Sequence, residues 1–395
     1  GEGDVAITGN VIAAKTADIG TYTGDVSVTG NVQSAEGTTV EVKDSGTLGV
    51  TGKLSTTAED GDVRVLTNTG KLSLTAAEGD TTATAIDSKG DVLVQIKGAA
   101  ADPTKDILDI QGNVTAADEL AVKSNNSNIK VGDGTTKTGY TLTGTDTTIS
   151  STTGAIDVYG ALSATSGDVL VETQGKVGLT SGVTGKPVVK SNGGDAVLRS
   201  YTLGENGKPV ASTGTLTVNG DVTADQAVSL KSDTGKITFT GTATSETGTT
   251  LQALTSGDIE VTGKLVTADT ENTNKGDVKV LTKDGDITLT KTKDGVDVVS
   301  SSQAALVQTE DGSVSVTGNV TGATTAALEA ADGNVTLKGD LLAKNGQAKL
   351  ETSDSSTGEN EVGDILVEGN VTSSAADVLV TTKNGNITVG DATQQ

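Results

Sequence analysis

Apolar and polar residues alternate along this chain in short bursts, and the bursts recur. The clearest are Gly3–Gly9 (GDVAITG), Gly24–Gly30 (GDVSVTG), Gly46–Gly52 (GTLGVTG), Gly257–Gly263 (GDIEVTG), Gly312–Gly318 (GSVSVTG) and Gly363–Gly369 (GDILVEG). In eleven copies a second glycine follows the opening position by six, and the second and fourth residues between them are always apolar. The pairs are Val5/Ile7, Val26/Val28, Leu48/Val50, Leu108/Ile110, Ile156/Val158, Leu216/Val218, Ile237/Phe239, Ile259/Val261, Val314/Val316, Val335/Leu337 and Ile365/Val367. A period of two puts each pair on one face of a short strand, with mostly polar residues on the other. A further apolar position follows the second glycine (Val32, Leu54, Val222, Val320), and then a second alternating run (Val40/Val42, Val63/Val65, Val169/Val171, Val278/Val280, Val378/Val380). Gly, Asn and Asp between the runs suit sharp corners.

The phrase opens near residues 3, 24, 46, 70, 90, 106, 128, 154, 175, 194, 214, 235, 257, 285, 312, 333, 363 and 385, and most steps are 19 to 24 residues. A fixed period of that length marks a solenoid. The spacing predicts an all-β, single-stranded, right-handed parallel β-helix of about 18 coils, with three sheets around an aliphatic column and negligible helix. Right-handedness follows from the general hand of parallel connections. The expected organisation is one continuous solenoid over residues 1–395, uncapped at both ends, with longer corner loops near 265–276, 291–304 and 351–362.

Charge narrows the partners. With 28 Lys plus Arg against 52 Asp plus Glu, the net charge is -24, a balance that repels phosphate and argues against nucleic acid. Cys and His are absent, which removes thiol nucleophiles, imidazole ligation, typical zinc sites and the Ser-His triad. Met is absent too, so a processed product or a segment of a longer chain is expected. No apolar run approaches the length of a membrane span, and no membrane insertion is expected. The low apolar content would suit disorder, were it not for the periodicity.

Candidate chemistry is sparse. Asp after the opening glycine (Asp4, Asp25, Asp91, Asp195, Asp258, Asp286, Asp364) could line a calcium column, but Thr, Ser, Asn or Lys interrupt the series, as repulsion between like charges requires. Asn after the second glycine (Asn10, Asn31, Asn113, Asn319, Asn370) suits a stacked amide ladder at a corner. Asn113, Asn319, Asn370, Asn334 and Asn386 also match glycosylation sequons. An ice-binding face needs a regular T-x-T array, whereas the outward positions read as an irregular mixture of Asp, Ser, Lys, Glu and Thr. A polysaccharide-cleaving site needs aromatic platforms and basic residues, and the chain has four Tyr, one Phe and only Arg64 and Arg199 as arginines. The repeated Gly-Lys-Pro-Val (Gly185–Val188, Gly207–Val210) marks an irregular zone, either a protrusion or a loop on a tolerant corner. We therefore expect no catalytic, cofactor-binding or metal residues, no cofactor, and no enzyme activity.

Copies of G-D-V-x-V-T-G-N-V followed by a V-x-V strand resemble the haemagglutinin-type repeats of large secreted bacterial adhesins, the filamentous-haemagglutinin-like proteins of two-partner secretion and related autotransporter shafts. The resemblance covers nearly the whole chain. It implies a right-handed β-helix displayed outside the cell that supports adhesion, aggregation or biofilm matrix, with an unidentified surface receptor or matrix component as partner. The Asn-Pro motif of the amino-terminal secretion domain and a translocator barrel are missing, so the resemblance is to shaft alone. The alternative expectation is a self-polymerising subunit whose copies stack end to end by β-strand pairing into an extracellular filament. A polysaccharide-acting β-helix ranks third.

Overall fold

The computed structural model describes residues 1–80, 82–99, 102, 105–135, 138–268, 276–292, 297–353 and 363–390. These residues form strands and turns, with no helix among them. The fold is a parallel β-solenoid of about 15 turns, its strands gathered in two large parallel sheets of 28 and 15 strands. A complete turn carries three strands, for example Val26–Thr29, Val32–Ser34 and Gly37–Ser45. Each pairs in register with its equivalent one turn on, Val26 opposite Leu48, Val32 opposite Leu54 and Val40 opposite Val65. We call these stacks the first, second and third ladders.

Two expectations are corrected. Eighteen phrases make about 15 turns, because the same phrase serves two corners. Gly90 opens Val92–Ile96, which pairs with the strands at Val63 and Leu120 in the third ladder. Gly194 opens Ala196–Ser200 in the same 15-stranded sheet. Gly61-Asp62-Val63, Gly167-Asp168-Val169 and Gly276-Asp277-Val278 carry the same opening before third-ladder strands. Both corners need a residue without a Cβ followed by a side-chain acceptor, so the local sequence converges. Three ladders also make only two sheets. Ile156–Ala164, Ile237–Ser245 and Ile259–Thr267 run through the corner as single strands, and the last two stay in register from Ile237 opposite Ile259 to Ser245 opposite Thr267. The first and second ladders are thereby joined.

The chain divides into two units, Gly1–Val197 and Leu198–Gln395. Within the first, one inward file of the first ladder runs Val28, Val50, Leu74, Ile110, Val131, Val158, Leu179, each opposite the next. Within the second, the matching file runs Val218, Phe239, Val261, Leu289, Val316, Leu337, Val367. Every member is at most 2% exposed. Burying a side chain of this size contributes about 1.5–3 kcal/mol, so the column is the main source of stability in each unit. Val5 and Ile7, in the first turn, are half-buried, and Val389, on the first ladder of the last described turn, is exposed.

The corner glycines are demanded by close approach as well as by φ. Gly46 (φ 147°) and Gly263 (φ 146°) lie where few other residues go, and a Cβ on either would strike the carbonyl of the glycine one turn earlier, Gly24 or Gly241. Of the three expected corner loops, 269–275, 293–296 and 354–362 lie outside the described residues, while Asp297–Ser301, within the loop expected near 291–304, is a strand of the second ladder.

Candidate functional site

The Asp after the opening glycine turns out to bond from turn to turn. In the first unit the Asp25 amide donates to Asp4 Oδ1 (2.9 Å), and the Thr47 amide to Asp25 Oδ1 (2.8 Å). In the second unit the chain of bonds is long. The Asp286 amide donates to Asp258 Oδ1 (3.0 Å), Ser313 to Asp286 Oδ1 (2.8 Å) and Asn334 to Ser313 Oγ (3.2 Å). Asp364 then donates to Asn334 Oδ1 (2.8 Å) and Asn386 to Asp364 Oδ1 (2.7 Å). The residue type varies, but each contributes a side-chain oxygen that takes the corner amide of the following turn. Strand pairing lapses at a corner, and these acceptors satisfy amides that would otherwise face the neighbouring turn without a partner.

The Asn positions act alike at the next corner. Asn31 donates its amide to Asn10 Oδ1 (2.9 Å), and Lys53 to Asn31 Oδ1 (2.9 Å). Asp340 donates to Asn319 Oδ1 (3.0 Å), and Asn370 to Asp340 Oδ1 (2.8 Å). At the corner before the third ladder, Asp168 donates to Asp146 Oδ1 and Asp195 to Asp168 Oδ1, both at 2.7 Å. Asp91 belongs here rather than with Asp4 and Asp25, since its amide donates to Asp62 Oδ1 (3.1 Å) and its own Oδ1 accepts from Glu119 (3.0 Å). Among the described residues no three His, Cys, Asp or Glu side chains come together as a group able to hold a metal ion.

A second polar system lies inside the column and is not evident from the sequence. Ser and Thr take inward positions next to corners, and their hydroxyls donate to corner carbonyls. Thr56 and Ser88 share the Gly61 carbonyl (both 2.7 Å), Thr267 and Ser301 share that of Gly276 (2.8 and 2.9 Å), and Thr352 and Thr382 share that of Gly363 (2.8 and 2.7 Å). Each carbonyl thus fastens two successive turns. The available signal was a Ser or Thr where alternation calls for an apolar residue, as in Ile86-Asp87-Ser88. The Oγ atoms of Ser127 and Ser200 are buried without a hydrogen-bond partner.

Outside the column, ion pairs join turns: Lys53 with Asp87 (2.7 Å), Lys97 with Glu41 (3.0 Å) and Lys338 with Glu368 (3.6 Å). Lys349 reaches Glu329 (3.1 Å) and Glu351, which sit opposite each other in register. Burial pulls the Lys349 ammonium down, but its bonds to Glu351 and Glu329 outweigh that and hold its pKa above the usual lysine value. In the turn at Asp80, the Thr82 hydroxyl and the Thr82 and Thr84 amides hold the carboxyl below its ordinary range.

The two Gly-Lys-Pro-Val segments differ. Gly185, Lys186 and Pro187 wall a cleft of about 400 Å³ over Thr141, Thr143 and Ser163. Gly207–Val210 closes a small antiparallel turn in which Leu203 bridges Pro209 and the Gly204 amide donates to the Lys208 carbonyl (2.9 Å). Nearby, the Arg199 guanidinium lies 5.7 Å from the centre of the buried Tyr201 ring. No helix among the described residues is long and apolar enough to cross a membrane. Compared with protein-family models, with curated proteins and with solved structures, the chain matches none.

Proposed function

We propose that this chain is a structural shaft segment of a bacterial surface adhesin, displayed outside the cell, where it supports adhesion, aggregation or biofilm matrix. The observation that carries the reading is where the polar side chains are directed. Corner Asp and Asn residues, interior hydroxyls such as Ser301 and surface pairs such as Lys53–Asp87 and Lys338–Glu368 bind a neighbouring turn. A molecule built this way resists extension, because each turn can leave only by breaking three strand pairings and its corner bonds together. The G-D-V-x-V-T-G-N-V phrases, which resemble adhesin shaft repeats, point to the same role.

Single-molecule pulling tests the mechanical part. A shaft gives repeated force peaks whose spacing corresponds to one turn, roughly 70 Å of released chain. Extension at low force without peaks would count against a load-bearing role. Beads coated with the chain and presented to cells or matrix test the adhesive part, with retention above that of uncoated beads as the expected result.

A further inference from the structure

Sorting the outward positions by register, rather than pooling them along the chain, separates them into files of different chemistry. On the first ladder of the first unit, Thr8, Thr29, Thr51 and Thr75 stand opposite one another over four turns. The file beside them is Ala6, Ser27, Gly49 and Ser73. None of these eight residues is charged, although charged residues make up 20% of the chain. The second unit repeats the arrangement with Thr240, Thr262, Thr290 and Thr317, flanked by Thr238, Glu260, Thr288 and Ser315. Glu260 interrupts that file and pairs with Lys236.

High strand propensity puts Thr on other ladders too, as at Thr39 and Thr250 on the third, but not in unbroken files. Over the same turns of the first unit, the corresponding files of the third ladder are mixed, running Asp18, Thr39, Arg64, Leu93 and Gly20, Glu41, Leu66, Gln95. Four threonines in register with an uncharged file beside them thus mark a patch of four turns on the first ladder, which Gln111 and Asp109 end at the next turn.

We propose that the outer face of the first ladder binds ice. Its threonines repeat at about 4.8 Å between turns, and outward residues of one strand at about 6.7 Å, set by the pleat. The single Thr file of the first unit supplies the first repeat, and the pairs Thr238/Thr240 and Thr288/Thr290 of the second unit supply both. Both repeats lie near those of the oxygen atoms on the prism face of hexagonal ice. Threonine is stiff at χ1, so a file in register offers its methyl and hydroxyl groups in the same order at every turn. A charged side chain would impose its own hydration shell, and the Thr file of the first unit has none beside it. The proposal is independent of the shaft reading, which would stand if this one failed.

The test is thermal hysteresis and ice-recrystallisation inhibition by the full chain, with ice itself as the probe. The expected result is a freezing-point gap and faceted crystals. A variant carrying T29K, T51K, T262K and T290K loses both, while Thr39→Lys with Thr250→Lys, on the third ladder, keeps both. All of these positions face outward, and circular dichroism confirms that the variants are folded. Absence of hysteresis and of recrystallisation inhibition in the unaltered chain overturns the proposal, as does undiminished activity in the first-ladder variant.

Discussion

The smallest unit of this fold is an inward residue with an apolar neighbour at the same position in the turns before and after it. Val316 is fully buried between Leu289 and Leu337. Val316→Asp places a carboxylate in the column with no cation within the turn to meet it, and the expected loss is roughly 3–5 kcal/mol. Urea unfolding measures it, and an unchanged midpoint would mean that this side chain faces water. Where polar residues enter the column next to a corner, a carbonyl can take their hydroxyls, as that of Gly276 does for Thr267 and Ser301.

At the scale of an element, the corner is as specific as the strand. The strand needs only alternation, whereas the corner needs a glycine that lets two backbones touch and then an oxygen for the amide of the next turn. Asn334 supplies that oxygen to Asp364. Asn334→Ala should cost about 1 kcal/mol, whereas Asn334→Asp retains the acceptor and should cost less. Hydrogen exchange at the Asp364 amide reads the difference directly, with faster exchange in the Ala variant. The strands and their inward pairs were legible because a period of two survives any choice of polar partner. The corner bonds were only half legible. Asn was expected to stack, but the equivalence of Asp, Asn and Ser in one series depends on geometry between residues more than twenty positions apart.

For the whole molecule, stability is close to a sum over turns and their interfaces, so no single turn decides it. The net charge of -24 opposes the fold through self-repulsion. Ion pairs such as Lys97–Glu41 offset this only locally. Raising salt to about 0.5 M shortens the range of repulsion to a few ångströms and should raise the melting temperature. A fall would mean that the surface ion pairs outweigh the net repulsion. Differential scanning calorimetry across a salt series distinguishes the two.

Periodicity by itself determined that this protein is a parallel solenoid with an aliphatic column, because inward positions repeat wherever a turn must cover its neighbour. It also located the corners, since glycine is needed where backbones meet. Tertiary structure alone decided which corner each phrase belongs to, and so the count of about 15 turns and the merging of two ladders into one sheet. The same applies to the files on the surface. Thr29 and Thr51 are far apart in sequence and adjacent in space, and only the register of one turn on the next brings them into line.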